Sequence, residues 1–315
     1  MKELIFSKQV QSNPSELDIL RILKYRNQEL FLPHERLYYS LSAGKMGELE
    51  VINFFKEYGR AHWKFVSNYW GDLSGSFESD LTIFAGNQCR VLEIKNYTGV
   101  FEYKDGISRK DGEDFNTNCV FQARRAFKNI RSIIQDDIGF DNVKGALIFI
   151  GENNEVNFHS PVDDIQIVRR HQLMRFIQQL AHEEDRSITK AIDFQAVTEK
   201  LNAHHIENPF KSDPLTFEEM QSVQPGIVCA NCASFDVKIS RKFVTCKCNH
   251  RELLHDAILR TIHEYATLRY DQVIRRKDLF RFFNGEVSTR TLTKVLGTYF
   301  ERVGAGRGAH YLNVR

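Results

Sequence analysis

Apolar positions along this chain switch between a period of two and a period near 3.6, and each clear stretch predicts an element. Residues 81–85 and 89–94 are short apolar runs rich in β-branched side chains, with Gly86-Asn87 between them. That dipeptide suits a two-residue hairpin loop. Such a loop pairs Ala85 with Gln88 and Phe84 with Cys89, and carries the register outward to Asp80 opposite Glu93. Both faces of the hairpin are apolar: Thr82, Phe84 and Val91 on one, Leu81, Ile83, Leu92 and Ile94 on the other. A pair covered on both sides is predicted to be central in its sheet. Further strands are expected at 65–69, 146–150 and 165–168, and a second hairpin at 98–103 and 107–110 around Asp105-Gly106. Helices are predicted at 16–30, capped by Ser15 and ended by Pro33, and at 42–58. In the latter Leu49, Ile52 and Phe55 mark the buried face, with Glu48 and Val51 beside it. Others follow at 122–134, 171–181, 189–201, 252–268, 277–283 and 289–300, the last capped by Ser288. Trp63 and Trp70 read as core. The loop 71–76, with two glycines, is expected to be mobile and to cover the site described next.

The hairpin register carries chemistry. Directly paired residues share a face, with Cβ atoms about 4.5–5.5 Å apart. Asp80 and Glu93 therefore aim at one spot, and Lys95, two positions beyond Glu93, lies on that face too. Two carboxylates and a lysine at the end of a buried strand pair can hold a divalent cation and orient a water, the parts needed for metal-assisted phosphodiester hydrolysis. The helix at 122–134 is strongly basic. Arg124, Lys128 and Arg131 fall at i, i+4 and i+7 and so form one stripe. A solvated helix face is the plain alternative, but the stripe starts beside Gln122, which is expected to face the metal site. Phosphate contact is the reading for Arg124 and Lys128.

The pieces around the hairpin resemble a known family. Gly44-Lys45-Met46-Gly47-Glu48-Leu49-Glu50-Val51, then Asp80, then Val91 through Gly99, then Asn118 through Gln122 are similar to the nuclease-related domain of the PD-(D/E)xK nuclease superfamily. The resemblance covers roughly residues 39–150. It implies an α/β fold with an α-β-β-β-α-β restriction-endonuclease-like core and a Mg²⁺- or Mn²⁺-dependent site. In it Glu48 is the helix glutamate, Asp80 and Glu93 are metal ligands, Lys95 is the catalytic lysine and Gln122 is the glutamine of the following helix. The Ile94 backbone carbonyl is an expected further ligand. The proline often found shortly before that glutamine is absent here, which leaves the start of its helix open.

Composition narrows the class. A chain of 315 residues has room for two or three domains, and 42% hydrophobic with 12% aromatic residues supplies packed cores. A net charge of +2 means that any nucleic-acid binding must come from local clusters of basic residues. No apolar run approaches membrane-spanning length, and the first residues lack the apolar stretch of a signal peptide. A cytoplasmic location with no membrane partner is expected. Six cysteines in that compartment point to metal or core use. Cys89 and Cys119 stand alone and read as core. Cys229, Cys232, Cys246 and Cys248 fall within 20 residues, and His250 follows two positions on. Two short knuckles joined by strands at 235–239 and 242–244 would gather four ligands for Zn²⁺. The four cysteines are the expected set, with His250 as the alternative to Cys248, in a unit similar to a zinc ribbon.

Three prolines, Pro209, Pro214 and Pro225, mark a linker. The expected division is an N-terminal helical arm at 1–38, the nuclease-related domain at 39–206, a linker at 207–226, the ribbon at 227–251 and a winged-helix-like domain at 252–315. The last has three helices, a turn with Gly304, Gly306, Arg307 and Gly308, and a strand from His310. Its third helix would present Arg290 and Lys294 to nucleic acid. The expected function is Mg²⁺-dependent cleavage of DNA, aided by the C-terminal modules. The alternatives are a non-catalytic nucleic-acid-binding or assembly protein on a nuclease fold, and a regulator whose C-terminal module binds a protein partner.

Overall fold

A computed structural model describes residues 2–3, 13–138, 142–187, 192–210 and 212–312. In chain order its elements begin with β1 (Lys2–Glu3), α1 (Glu16–Arg26), α2 (Gln28–Phe31) and α3 (Glu35–Tyr58). β2 (Lys64–Asp72), β3 (Ser76–Ala85), β4 (Gln88–Lys95), β5 (Gly99–Lys104), β6 (Ile107–Lys110), β7 (Glu113–Asp114) and α4 (Cys119–Ile138) follow. Then come β8 (Val143–Phe149), β9 (Asn154–Phe158), β10 (Ile165–Arg169), α5 (Leu173–Arg186), α6 (Phe194–His204) and α7 (Phe217–Ser222). The chain closes with β11 (Val237–Ile239), β12 (Phe243–Cys246), β13 (Arg251–Leu253), α8 (Leu254–Leu268), α9 (Arg276–Phe282), α10 (Thr289–Tyr299), β14 (Arg302–Val303) and β15 (His310–Tyr311). Two compact units share these elements: Met1–Val10 with Ser40–Pro209, and Gln11–Tyr39 with Phe210–Arg315. The segment 1–38 is thus divided between them, and the ribbon and the three-helix segment fall into one unit.

The first unit is a mixed α/β body around a six-stranded sheet, ordered β1-β2-β3-β4-β8-β10. β2, β3 and β4 are antiparallel in turn, while β8 runs parallel to β4 and β10 parallel to β8. The hairpin register is the expected one, from Ala85 opposite Gln88 to Leu81 opposite Leu92. Gly86, at φ +63°, opens the turn, the first central position at which a tight hairpin requires glycine. A Cβ there would also stand 2.0 Å from the Glu184 carboxylate. Each face of the hairpin has its own core. Phe84 and Val91 pack with Ala123, Phe127 and Ile130 of α4. Leu81, Ile83, Leu92 and Ile94 pack with Val51 and Phe55 of α3 and with Phe176 of α5. Trp63 is fully buried there, as read, while Trp70 is half-buried.

A second sheet, β7-β6-β5-β9, adjoins this core. Asp105 and Gly106 both take positive φ, as a two-residue primed turn demands. β9 escaped the sequence reading because only Val156 of its five residues is buried. Several boundaries also differ. The helix expected from residue 42 begins at Glu35, because Pro33 sits in the first turn of a short 3₁₀ segment, where its missing N–H costs nothing, and the chain continues helically. Leu49 is exposed, and the buried positions of α3 are Gly47, Val51, Ile52 and Phe55. Gly71 lies inside β2, so the loop over the site shrinks to three residues between Asp72 and Ser76. The start of the helix expected at 189–201 lies partly outside the described residues; α6 begins at Phe194 behind an Asp193 cap.

In the second unit, α1 ends at Arg26, with Asn27 as its cap, rather than running on to residue 30. Its buried face of Leu17, Ile19, Leu20, Ile22 and Leu23 packs in one cluster with Leu215, Val223, Leu268 and Phe282. The proline-marked segment contains α7, which starts with a capping box between Thr216 and Glu219. β11, β12 and β13 form a small antiparallel sheet. Residues 251–253 therefore belong to a strand, and α8 starts at Leu254, two residues later than expected. α8, α9 and α10 enclose a core with Ile258, Ile262, Leu279, Leu292 and Leu296. β14 pairs with β15, and Ile274 bridges Tyr311. Residues 313–315, at the end of the strand expected from His310, lie outside the described residues.

Candidate functional site

Asp80 and Glu93 stand one step beyond the last ladder pair, Leu81 opposite Leu92. By strand alternation they share the face that Phe84 and Val91 turn to α4. Asp80 Oδ2 accepts the Ile94 backbone N–H at 2.7 Å, which ties the early part of β3 to the end of β4. Lys95 Nζ lies 2.7 Å from Glu93 Oε1, with side chains 15% and 7% exposed. The pair is thus largely out of water, where attraction between charges is strengthened. Burial and the neighbouring Glu93 hold the Asp80 carboxyl well above the usual carboxylate range. Burial also raises Glu93, against the pull of Lys95. Burial pushes Lys95 down, but Glu93, Tyr97 and Asp80 more than reverse this, so its ammonium stays charged.

α3 supplies another acid. A Cβ on Gly47 would stand 2.7 Å from Asn96 Cβ and 2.9 Å from Ile150 Cγ2. Only glycine lets the helix lie this close to the ends of β4 and β8. Asn96 Nδ2 fixes the contact by donating to the Ala43 carbonyl at 2.8 Å. The next residue, Glu48, comes near enough for its charge to raise Glu93 and Glu78. Lys45 Nζ lies 3.0 Å from Glu48 Oε2 and 3.3 Å from Asn68 Oδ1.

Glu78 escaped the sequence reading, although it precedes Asp80 by two residues and so shares its face. It keeps surface area at the rim, yet its carboxyl is crowded by protein atoms. That crowding, with Glu93 and Glu48, lifts its pKa to about 7. Cys119 and Tyr97 were missed as members of the site too. Cys119 is buried as expected, but beside Lys95 and Glu93. Burial, partly opposed by Lys95 and aided by Glu93, pushes its thiol up to about 12. Tyr97, two residues beyond Lys95, is raised to about 12, first by burial. Asn118 Oδ1 accepts the Phe121 N–H at 2.9 Å and caps α4. The positive end of that helix is thereby set beside the carboxylates.

The expected residues Glu48, Asp80, Glu93 and Lys95 come together. Gln122 does not join them: it is exposed, and among the described residues its side chain bonds none of the four. The α4 start at Cys119, a turn earlier than expected, leaves it on the outer rim. Arg124 departs from expectation as well. Its guanidinium is 2.9 Å from both oxygens of Asp164, whose carboxyl it holds below the usual range. Lys128 acts on the same carboxyl, and Arg131 Nε donates to Gln135 at 2.9 Å.

In the second unit the sulfurs of Cys229, Cys232, Cys246 and Cys248 all lie within 4.8 Å of one another. Cys229 and Cys248 are 3.6 Å apart, as are Cys232 and Cys246. A tetrahedron of thiolates about 2.3 Å from Zn²⁺ has edges of roughly 3.8 Å, so the set fits that ion. Ala233 and Asn249 take positive φ in the two knuckles, which lets each turn sharply. The His250 backbone N–H and the Asn231 amide draw the Cys248 thiol down to about 6. His250 stands outside the converging set; its buried Nε2 has no partner among the described residues. This cluster is the only set of three or more His, Cys, Asp or Glu donors close enough to share an ion among the described residues. The carboxylates are instead spread over their own partners, Ile94 N–H, Lys95 and Lys45. Arg290 and Lys294 are exposed on α10, and Arg276 Nη1 of α9 reaches Thr293 Oγ1 at 3.3 Å.

Residues 43–150 match the family model of the nuclease-related domain. The matched stretch holds Glu48, Asp80, Glu93, Lys95 and Gln122, and the match points to a nuclease-related function. The cysteine set and the helices after it lie outside that stretch. No curated protein and no solved structure matches the chain. Among the described residues, no helix is long and apolar enough to cross a membrane.

Proposed function

We propose that the first unit is a metal-dependent nuclease that hydrolyses phosphodiester bonds of DNA. The observation that carries this reading is the meeting of Asp80, Glu93 and Lys95 on one hairpin face, where burial raises both carboxyls. Carboxylates held in that state gain from a divalent ion with oxygen ligands. Asp80, Glu93 and the Ile94 carbonyl would hold Mg²⁺ or Mn²⁺, with Glu48 beside it. The bound ion would supply a water of lowered pKa and neutralise charge on the phosphate. Lys95, kept charged by Glu93, stabilises negative charge developing on the phosphate oxygens. The N-terminus of α4 faces the same place and favours an anion there. In the second unit the four cysteines would hold a structural Zn²⁺. The winged-helix arrangement of α8, α9, α10 and the β14–β15 ribbon would engage DNA through Arg290 and Lys294.

A second reading rests on the way the carboxylates are satisfied by protein partners: a nuclease fold that binds nucleic acid without cutting it. Purified protein incubated with duplex DNA and Mg²⁺ or Mn²⁺ separates the two. The nuclease reading expects cleavage that Asp80→Ala, Glu93→Ala and Lys95→Ala each abolish. Asp80→Ala should melt at or above the wild type without Mg²⁺ and lose the Mg²⁺-induced rise in Tm. Cleavage undiminished in all three variants would move the activity away from this site, and metal-independent binding without cleavage would select the second reading.

A further inference from the structure

The basic residues of α4 divide between the two flanks of the helix. Successive residues on a helix turn by about 100°, so Arg124 and Arg125 point to different sides. Arg124 goes to the flank of β10. Asp164, its partner, immediately precedes that strand, and the bidentate contact neutralises it. Lys128 also acts on Asp164, and Arg131 leans on Gln135.

Arg125 goes to the opposite flank, with Gln122 one turn before it. It is exposed, and among the described residues no carboxylate pairs with it. Its Nη2 lies 3.4 Å from where a Cβ on Gly75 would stand. Gly75 is in the turn between β2 and β3, and β3 carries Glu78 and Asp80. The guanidinium therefore sits beside the turn that leads into β3, three residues before Glu78.

That position answers an electrostatic need. Glu48, Glu78, Asp80 and Glu93 outnumber Lys45 and Lys95, and both lysines are engaged by carboxylates, so the site itself offers a polyanion little free positive charge. A phosphate chain laid across it needs an unpaired cation at the rim, and a guanidinium offers two parallel donors to phosphate oxygens. We infer that Arg125, not Arg124, is the α4 cation that grips a backbone phosphate away from the one cleaved, and that Arg124 is a structural ion pair. This rests on the nuclease reading above.

The test is cleavage of a duplex by the full chain in Mg²⁺, with kcat/KM measured over a range of salt concentrations. Arg125→Ala is expected to lower kcat/KM about tenfold, the scale of one hydrogen-bonded charge, mainly through KM. It should also flatten the slope of log kcat/KM against log salt by about one. Arg125→Lys should keep most of the slope. Arg124→Ala should leave the slope unchanged and show its effect as a lower Tm. An unchanged slope in a folded Arg125→Ala protein that still cleaves, or a flattened slope in Arg124→Ala, overturns this inference alone. Absence of cleavage by the parent protein overturns the nuclease reading and the inference with it.

Discussion

At the scale of single residues, Glu78 gives a pH test of the carboxylate cluster. Its pKa is raised from 4.5 to about 7 by crowding and by Glu93 and Glu48. A carboxyl raised by folding favours the folded state when protonated. Its contribution to stability is complete below about pH 4.5 and is lost as the pH climbs through about 7. In protein dialysed free of Mg²⁺ and Mn²⁺, the wild type should lose Tm relative to Glu78→Gln over that window. Thermal melts from pH 4.5 to 8 check this, and a difference that stays constant with pH would show that Glu78 titrates as an ordinary surface acid. Added Mg²⁺ should shrink the loss, because a cation offsets the same repulsion.

Among the elements, the β3–β4 hairpin was legible in advance. Gly86-Asn87 fixes the loop length, loop length fixes register, and register brings Asp80 to Glu93. The reach of β3 beyond β4 is less visible, since it depends on pairing with β2, from Ser79 opposite Tyr69 to Ser76 opposite Asp72. That reach is what adds Glu78. The stripe on α4 was read from spacing alone. Spacing shows which residues share a flank but not which flank faces a carboxylate, so the sequence assigns Arg124 to phosphate where the structure pairs it with Asp164. The knuckles of the ribbon were legible because metal ligands must cluster in sequence when the surrounding unit is small. The order of the sulfurs leads to a direct expectation. Elemental analysis should find one Zn²⁺ per chain, and Cys229→Ser should release it and loosen β11, β12 and β13. Full zinc content in that variant would exclude the four-cysteine set.

For the whole molecule, the notable residue is Arg26, which nothing in the sequence marks. It is 2% exposed. Its Nε donates to Glu264 Oε2 at 2.8 Å and its Nη1 to the Gln224 carbonyl at 2.8 Å, and Nη2 reaches the Gly226 carbonyl at 3.1 Å. Glu264 also holds Arg260 at 3.1 Å, and Arg260 bonds Glu252 and the Val228 carbonyl. A buried guanidinium paired on all sides over a separation of 238 residues ties α1 to α8 within one unit. The Ser15 cap marks α1 as a helix in the sequence, but does not say which distant segment covers it. Removing one partner of a buried pair typically costs about 3–5 kcal/mol, since the other charge is left stranded. Arg26→Ala should therefore lower hydrogen-exchange protection in α8 while leaving α4 unchanged. The double change Arg26→Ala with Glu264→Ala should cost less than the sum of the single changes. Equal loss of protection in both helices would mean that the network is not confined to this unit.

The interleaving of the two units dictates an order of events during synthesis. When residues 40–209 have left the ribosome, every strand and helix of the first unit is present. The apolar side of α1, made earlier, still waits for Leu215, Val223, Leu268 and Phe282. A chain arrested near residue 210 would carry a finished first unit and an uncovered greasy helix, which is the kind of surface that chaperones hold. Release of such arrested chains should therefore yield material that aggregates through residues 16–26, and Leu20→Lys should keep it dispersed.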